Sequence, residues 1–281
     1  MSEGEQHTLL IDCPDQKGLV HRITGILLGH ALNIVSNGEF VDSERKHFFM
    51  RTEFAGPCNQ DAVVGELREI LPADATIRLS RQEKKRLVVM VTREPHCVGD
   101  LLLRHAYGEL NAEISAIIGN HSILEPLARR FEIPFQCLSH EGLSREAHEE
   151  RIFDALSNWS PDFIVLAKYM RILTPAFVDR YPSRMLNIHH SFLPAFAGAS
   201  PYRQAAERGV KIIGATAHFV TGNLDEGPII AQDVIPVDHT HSAASMAQAG
   251  RDVEKVVLAR ALKLVLEERV FVSGNRTVLF P

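Results

Sequence analysis

The chain has 281 residues, of which 45% are hydrophobic and 23% charged, with a formal net charge of −5. That balance is ordinary for a globular chain of one large domain or two, and it argues against a nucleic-acid groove, which calls for a basic surface. No apolar run approaches the roughly 18 residues of a membrane span.

Residues 7–13 (HTLLIDC) read as a strand, and CPDQKG as a turn punctuated by Pro14 and Gly18. Leu19, Val20, Ile23, Ile26 and Leu27 fall at helical spacing over 19–31. Strands follow at 33–41 and 47–54 around the polar turn DSERK, then a helix at 60–71 and a strand at 75–79. The order βαββαβ is the ferredoxin-like arrangement. RQEKKR at 81–86 is a charged linker, so two domains are expected, 1–84 and 85–281. Beyond it the element types alternate: strands at 87–91, 113–118, 134–138, 162–167 and 184–188, with helices near 97–107, 123–131 and 145–157. Continuous apolar strands alternating with helices predict a Rossmann-like, mostly parallel sheet covered on both faces. A last helix is expected from Ala243 to about Glu268, with Arg251, Asp252, Glu254 and Lys255 on a solvated face or an interface. The polar start MSEGEQH is not a signal peptide. Cys13, Cys58, Cys97 and Cys137 are scattered without a CxxC, as expected of free thiols in the cytoplasm.

Two stretches carry chemistry. LNIHHSFLPAF at 186–196 and NLDEGPII at 223–230 bring an amide, an imidazole and a carboxylate into one pattern: Asn187, His189 and Asp225. An amide and an imidazole can hold a developing oxyanion, and a carboxylate can manage a proton. The spacing Asn-x-His puts both side chains on one face of an extended segment. Pro194 with Ala195, Ala197, Gly198 and Ala199 then opens a loop at the end of the strand, where open α/β sheets bind ligands. Burial near Leu224, Ile229 and Ile230 is expected to raise the pKa of Asp225, with His189 as its charged partner.

These motifs, with Ser191, Leu193 and Pro194, GATAH at 214–218 and LDEGP at 224–228, resemble the folate-dependent formyltransferase family from about residue 86 onward. The resemblance implies that Asn187 and His189 hold the oxyanion and that Asp225 manages the proton. It implies that KYMRIL at 168–173 lines a folate pocket through Met170, Arg171, Ile172 and Leu173, and that Thr221, Gly222, Asn223 and Leu224 close the other side. His190 stands where transferring members carry proline, which looks like the hydrolytic branch. The member acting on glycinamide ribonucleotide has a Gly/Ser-rich phosphate loop after its first strand; VTREPHCVGDLL stands here, with Glu94 and Asp100, a poor phosphate cradle. Water is therefore the expected nucleophile. The implied substrate is 10-formyltetrahydrofolate, with formate and tetrahydrofolate as products and no prosthetic group; the formate would supply purine synthesis and balance one-carbon pools.

CPDQKGLVHRITGIL, at the head of the first unit, looks like an ACT domain. That resemblance implies an amino-acid effector near Asp15, Lys17, Gly18 and Asn33, and a homo-oligomer, dimer or tetramer. Rival readings are a transferase with an amine acceptor, a metal hydrolase using His189, His190, His218, His239 or His241, cysteine catalysis through Cys97, and a non-catalytic sensor. Without HExxH or Cys-rich ligand spacing no metal is expected, and His218 and His239 read as structural or supporting groups.

Overall fold

The computed structural model describes residues 5–195 and 201–281. Ala197, Gly198 and Ala199, expected in the loop after Pro194, lie outside the described residues. The chain divides into two compact units, Met1–Glu83 with Phe280–Pro281, and Lys84–Leu279. Phe280 and Pro281, expected in the second domain, group with the first unit.

The first unit runs β1 (Gln6–Pro14), α1 (Leu19–Gly29), β2 (Asn33–Asp42), β3 (His47–Ala55), α2 (Gln60–Ile70) and β4 (Thr76–Arg81). Its sheet has the order β2-β3-β1-β4, with every neighbouring pair antiparallel. Helix α1 buries Leu19, Ile23 and Leu27, one residue per turn, and α2 buries Val63 and Leu67. These meet Leu9, Ile11, Met50 and Phe54 of the sheet in one core. Asn59 caps α2 by accepting from the Ala62 N–H, a contact worth about 1 kcal/mol.

This topology separates the residues expected to share an effector site. Asp15, Lys17 and Gly18 follow the carboxyl end of β1, where Pro14 pairs with His47. Asn33 opens β2 opposite Ala55, which also pairs with Gln6 at the other end of β1. The nine residues of β1 span roughly 26 Å at ~3.3 Å per residue. Helix α1 carries the chain back to the end where β1 begins, so within one chain Asn33 does not join the other three.

In the second unit, β5 (Lys85–Val91), α3 (His96–Ala106), β6 (Ala112–Gly119), a 3-10 turn (Ser122–Leu124), α4 (Glu125–Arg130) and β7 (Phe135–Cys137) form one half. The other half is α5 (Arg145–Trp159), β8 (Phe163–Leu166), α6 (Pro175–Val178), β9 (Met185–His189), α7 (Pro201–Arg208), β10 (Ile212–Phe219), β11 (Ile229–Pro236) and α8 (Ala243–Leu266), closed by the hairpin β12 (Val270–Ser273) and β13 (Arg276–Leu279). The sheet order is β11-β10-β9-β8-β5-β6-β7. Strands β5 to β9 pair in parallel, whereas β10 and β11 add on antiparallel. These two antiparallel strands add to the expected parallel elements; GATAH, a motif in the sequence, forms part of β10.

Alternate residues of β5 serve two cores. Leu87, Val89 and Val91 pack with α3 and with Val257, Leu258, Ala261 and Leu262 of α8. Val88 and Met90 pack with Ile152 and Leu156 of α5 and with Phe177. Burial on both faces explains why the strand is apolar from Leu87 to Val91, each such side chain contributing about 1.5–3 kcal/mol. Chain order reverses between β5 and β8, which leaves a crevice at the carboxyl ends of the parallel strands.

The β10–β11 turn is sterically tight. A register shift falls between Ala217 and His218, and a Cβ at Gly227 would overlap the Phe219 carbonyl oxygen. Because that obstacle is backbone, Gly227→Ala is expected to destabilise the protein by about 1–3 kcal/mol. The check is a urea unfolding curve, and an unchanged midpoint would contradict this packing.

Candidate functional site

Strand β9 ends in Asn187-Ile188-His189. Leu186 and Ile188 turn into the core beneath α8, which leaves Asn187 and His189 together on the other face, lining a cleft of about 670 Å³. Antiparallel pairing sets His218 of β10 beside Asn187. The chain then loops through Thr221–Leu224 and delivers Asp225 to the same place. Asp225 Oδ1 lies 3.2 Å from His189 Nδ1 and 3.8 Å from His218 Nε2. Asn187 Nδ2 lies 3.2 Å from His218 Nε2. The three residues singled out in the sequence are therefore gathered within contact distance, with His218 between two of them.

Hydrogen bonding orients the group. His218 Nδ1–H donates to the Phe219 carbonyl at 2.8 Å, which leaves Nε2 to accept from the Asn187 amide. Burial pushes the His218 imidazole below its ordinary value, in keeping with a neutral acceptor. His189 Nε2 is buried and has no partner among the described residues. With Nδ1 engaged by Asp225, this is the nitrogen left for a ligand.

The expectation for Asp225 is reversed. Burial does oppose its charge, but the hydrogen bond and charge of His189, with His218 and His190, hold its carboxyl below the ordinary carboxylate value. Leu224 cannot desolvate it as expected, being 58% exposed. Asp225 also has a left-handed backbone, φ 56°, as does Lys168 at 62°. Such conformations cost of order 1–3 kcal/mol each for side-chained residues and cluster at functional sites.

Met170, Arg171, Ile172 and Leu173 line one side of the cleft, and Thr221, Gly222, Asn223 and Leu224 the other. Met170 and Ile172 are 55% and 52% exposed, so they are wall rather than core; Leu173 also packs against the α5 side of the core. The wall is tethered at both ends. Met170 N–H donates to Thr92 Oγ1 at 2.9 Å, and buried Glu149 accepts from the backbone and hydroxyl of Thr174.

Three residues gain importance beyond the sequence reading. Glu254, assigned to a solvated face, is buried on α8 and bonded to His96, Tyr202 and Lys168. Its charge had hidden a burial that the neighbouring Val253 and Val257 imply. Lys168, at the head of KYMRIL, is buried and lines the cleft. His190 stacks on His189 with ring centroids 4.9 Å apart. Cys97 is buried, and desolvation together with the Glu254 charge pushes its thiol up, far from a thiolate nucleophile. His241 instead bonds Asp238 at 2.8 Å.

Residues 85–262 match the model of the formyl transferase family. A formyltetrahydrofolate deformylase of Escherichia coli O6:H1 is 58% identical over 279 residues, which is 99% of this chain and all of the relative. The crystal structure of a formyltetrahydrofolate deformylase from Pseudomonas syringae pv. tomato superposes with a TM-score of 0.95 at 39% identity, covering 100% of this chain and 96% of that one. A glycinamide ribonucleotide transformylase from Symbiobacterium toebii superposes at 0.68 and 29% identity, covering 70% of this chain and 95% of its own.

Burial first, then the charges of Lys168 and His189, push the His190 imidazole down to about 4. In the unfolded chain the same ring takes up a proton below pH ~6.5. The unfolded state therefore binds more protons through that window, and stability falls as pH drops from ~6.5 toward 4. His190→Gln is expected to flatten this fall, read as the slope of the denaturation midpoint between about pH 6.5 and 4.5. Equal slopes for both proteins would contradict a buried neutral His190.

Proposed function

The chain belongs to the formyl transferase family and, within it, to the formyltetrahydrofolate deformylases, and from that membership we propose that its second unit hydrolyses 10-formyltetrahydrofolate to formate and tetrahydrofolate. The observation that carries the mechanism is the pair of buried His189 and partly buried Asp225, 3.2 Å apart, on the wall of a cleft that also presents the Asn187 amide.

The pterin lies between Met170–Leu173 and Thr221–Leu224, in a cleft of the size that holds a small heterocyclic ligand. As water attacks the formyl carbon, negative charge develops on the formyl oxygen. The second N–H of Asn187 and the Nε2–H of His189 stabilise it; Asp225 at Nδ1 keeps the imidazole aimed. His218 contributes indirectly, by fixing the rotation of the Asn187 amide. Donors held in place before the reaction stabilise developing charge without reorganisation. Asp225 takes a water proton as the C–O bond forms and returns it to the nitrogen as the C–N bond breaks. Its carboxyl, held low, is a weak base toward bulk water, but water attacking a carbonyl becomes far more acidic along the reaction path. The second proton is released when formic acid ionises, so one water is consumed and formate, a proton and tetrahydrofolate are produced.

The first unit is proposed to be an ACT domain that regulates or assembles the enzyme, with an amino-acid effector near Asp15, Lys17 and Gly18. Asn33 would reach such a site only from a second copy of the chain, which fits a homo-oligomer, dimer or tetramer. The proposed setting is the cytoplasm, with formate serving purine synthesis. Among the described residues no helix is long and apolar enough to cross a membrane.

The test is formate and tetrahydrofolate release from 10-formyltetrahydrofolate with no amine acceptor, in the presence of a chelator. Equal amounts of the two products are expected. Asn187→Ala should lower kcat by about 10²–10³, and Asp225→Asn by about 10²–10⁴. Turnover only on adding an amine would establish a transferase instead, and loss of activity in chelator would point to a metal.

A further inference from the structure

Behind the cleft lies a cluster of buried charge that the steps above do not use. Glu254, 1% exposed, takes His96 Nε2 at 2.7 Å, the Tyr202 hydroxyl at 2.7 Å and the Lys168 ammonium at 3.2 Å. Burial opposes its charge, but these partners hold its carboxyl down to about 2. Four elements converge there: the starts of α3 and α7, the segment after β8 and the middle of α8. Space for the contact is built into α8. A Cβ at Gly250, one turn before Glu254, would overlap the Tyr202 hydroxyl, and a glycine inside a helix is unfavourable relative to alanine.

An ion pair this deep is a poor stabilising device, since desolvation of both charges offsets most of their attraction. Nor is it a good metal site. His96, Cys97 and Glu254 have ligand atoms within 4.8 Å of one another, but the Lys168 ammonium already occupies the carboxylate. The cluster touches the cleft through Lys168, which is 4% exposed and sits on a left-handed backbone. An ammonium has three N–H donors, and among the described residues Glu254 is its only ion-pair partner. His190 lines the same cleft, and no hydrogen bond engages its ring nitrogens among the described residues. One wall therefore offers a fixed cationic donor and a neutral acceptor, a complementary pair for a single water.

We propose that Lys168 and His190 hold the nucleophilic water, and that Glu254 is the positioning residue that pins the Lys168 ammonium. The inference rests on the hydrolytic reading above. Lys168 donates to the water oxygen and His190 accepts one of its hydrogens, so that a lone pair faces the formyl carbon. The water oxygen then bonds to that carbon and the C–N bond breaks with its electron pair on nitrogen. One water proton ends on that nitrogen, and the other stays on the product as formic acid, which ionises to formate and a proton.

Hydroxylamine separates this role from a structural one. It attacks the same carbon, releasing tetrahydrofolate and formohydroxamate, and needs no positioned water. The variants are His190→Ala and the double substitution Lys168→Met with Glu254→Gln, which removes both charges and so leaves neither buried alone. In each, formate release is expected to fall about 10²–10³-fold, with hydroxylamine-dependent formohydroxamate falling less than about 10-fold and the folate KM within about threefold. The product ratio then moves at least tenfold toward hydroxamate. Hydrolysis in the double variant within about threefold of the parent would make the cluster purely structural and overturn the proposal. Parallel loss of both products with an unmoved ratio would overturn it as well. A parent enzyme that forms hydroxamate but no formate would sink the hydrolytic reading and this one with it; intact parent hydrolysis with an unmoved ratio sinks this one alone.

Discussion

A carboxylate taken out of water keeps its charge only where nearby donors and cations replace its hydration, and the site is built around one such place. Asp225 is held by His189, with His218 and His190 adding to the effect. The aspartate and the imidazole are 36 residues apart in the chain. The pairing of β9 with β10 brings them together: it sets His218 opposite Asn187 and starts the return loop to Asp225. The tight approach of Gly227 to the Phe219 carbonyl then fixes where that loop ends. Backbone register and buried charge thus specify the same arrangement, and neither would hold Asp225 at φ 56° alone.

The second unit's sheet explains why the site lies where it does. Its central strands are apolar on both sides because α3 and α8 cover one face while α5 and α6 cover the other. Polar side chains have no place along such strands. They emerge at the carboxyl ends, where chain order reverses and no helix fills the space. Asn187 and His189 use the last positions of β9, and Lys168 follows the end of β8. The wall from Met170 to Leu173 is tethered at one end by partly buried Thr92 and at the other by buried Glu149.

A second carboxylate, Glu254, this one fully buried, repeats the same physics behind the cleft with a different set of partners. Asp225 is paired with His189, whose second nitrogen has no partner among the described residues. Glu254 is paired with an ammonium, an imidazole and a phenol, whose hydrogens converge on it. Both carboxylates act on His190, which stacks on His189, yet burial outweighs them and disfavours its charge. The site thereby sets an imidazole paired with a carboxylate beside one whose charge is disfavoured by burial, on adjacent residues at a single strand end.

Much of this was legible in the sequence. Apolar periodicity placed the ferredoxin-like order of the first unit and the alternating elements of the second, since period 2 and period 3.6 patterns are local properties of the chain. The pattern Asn-x-His followed by LDEGP identified the catalytic candidates, because chemistry requires those side-chain types whatever surrounds them. Other features depended on long-range pairing. Nothing local in GATAH or in PIIAQDVIP says that these segments run antiparallel on a parallel sheet. The direction of α1, which takes Asn33 to the far end of β1 from Asp15, is a matter of topology rather than composition. The lowered pKa of Asp225 and the burial of Glu254 were misread for one reason: a residue's neighbours in sequence do not determine its solvation or its charge partners. Residue identities and local periodicity were set by the sequence itself. Which charges are buried, and which partners compensate them, was decided only when distant segments packed together.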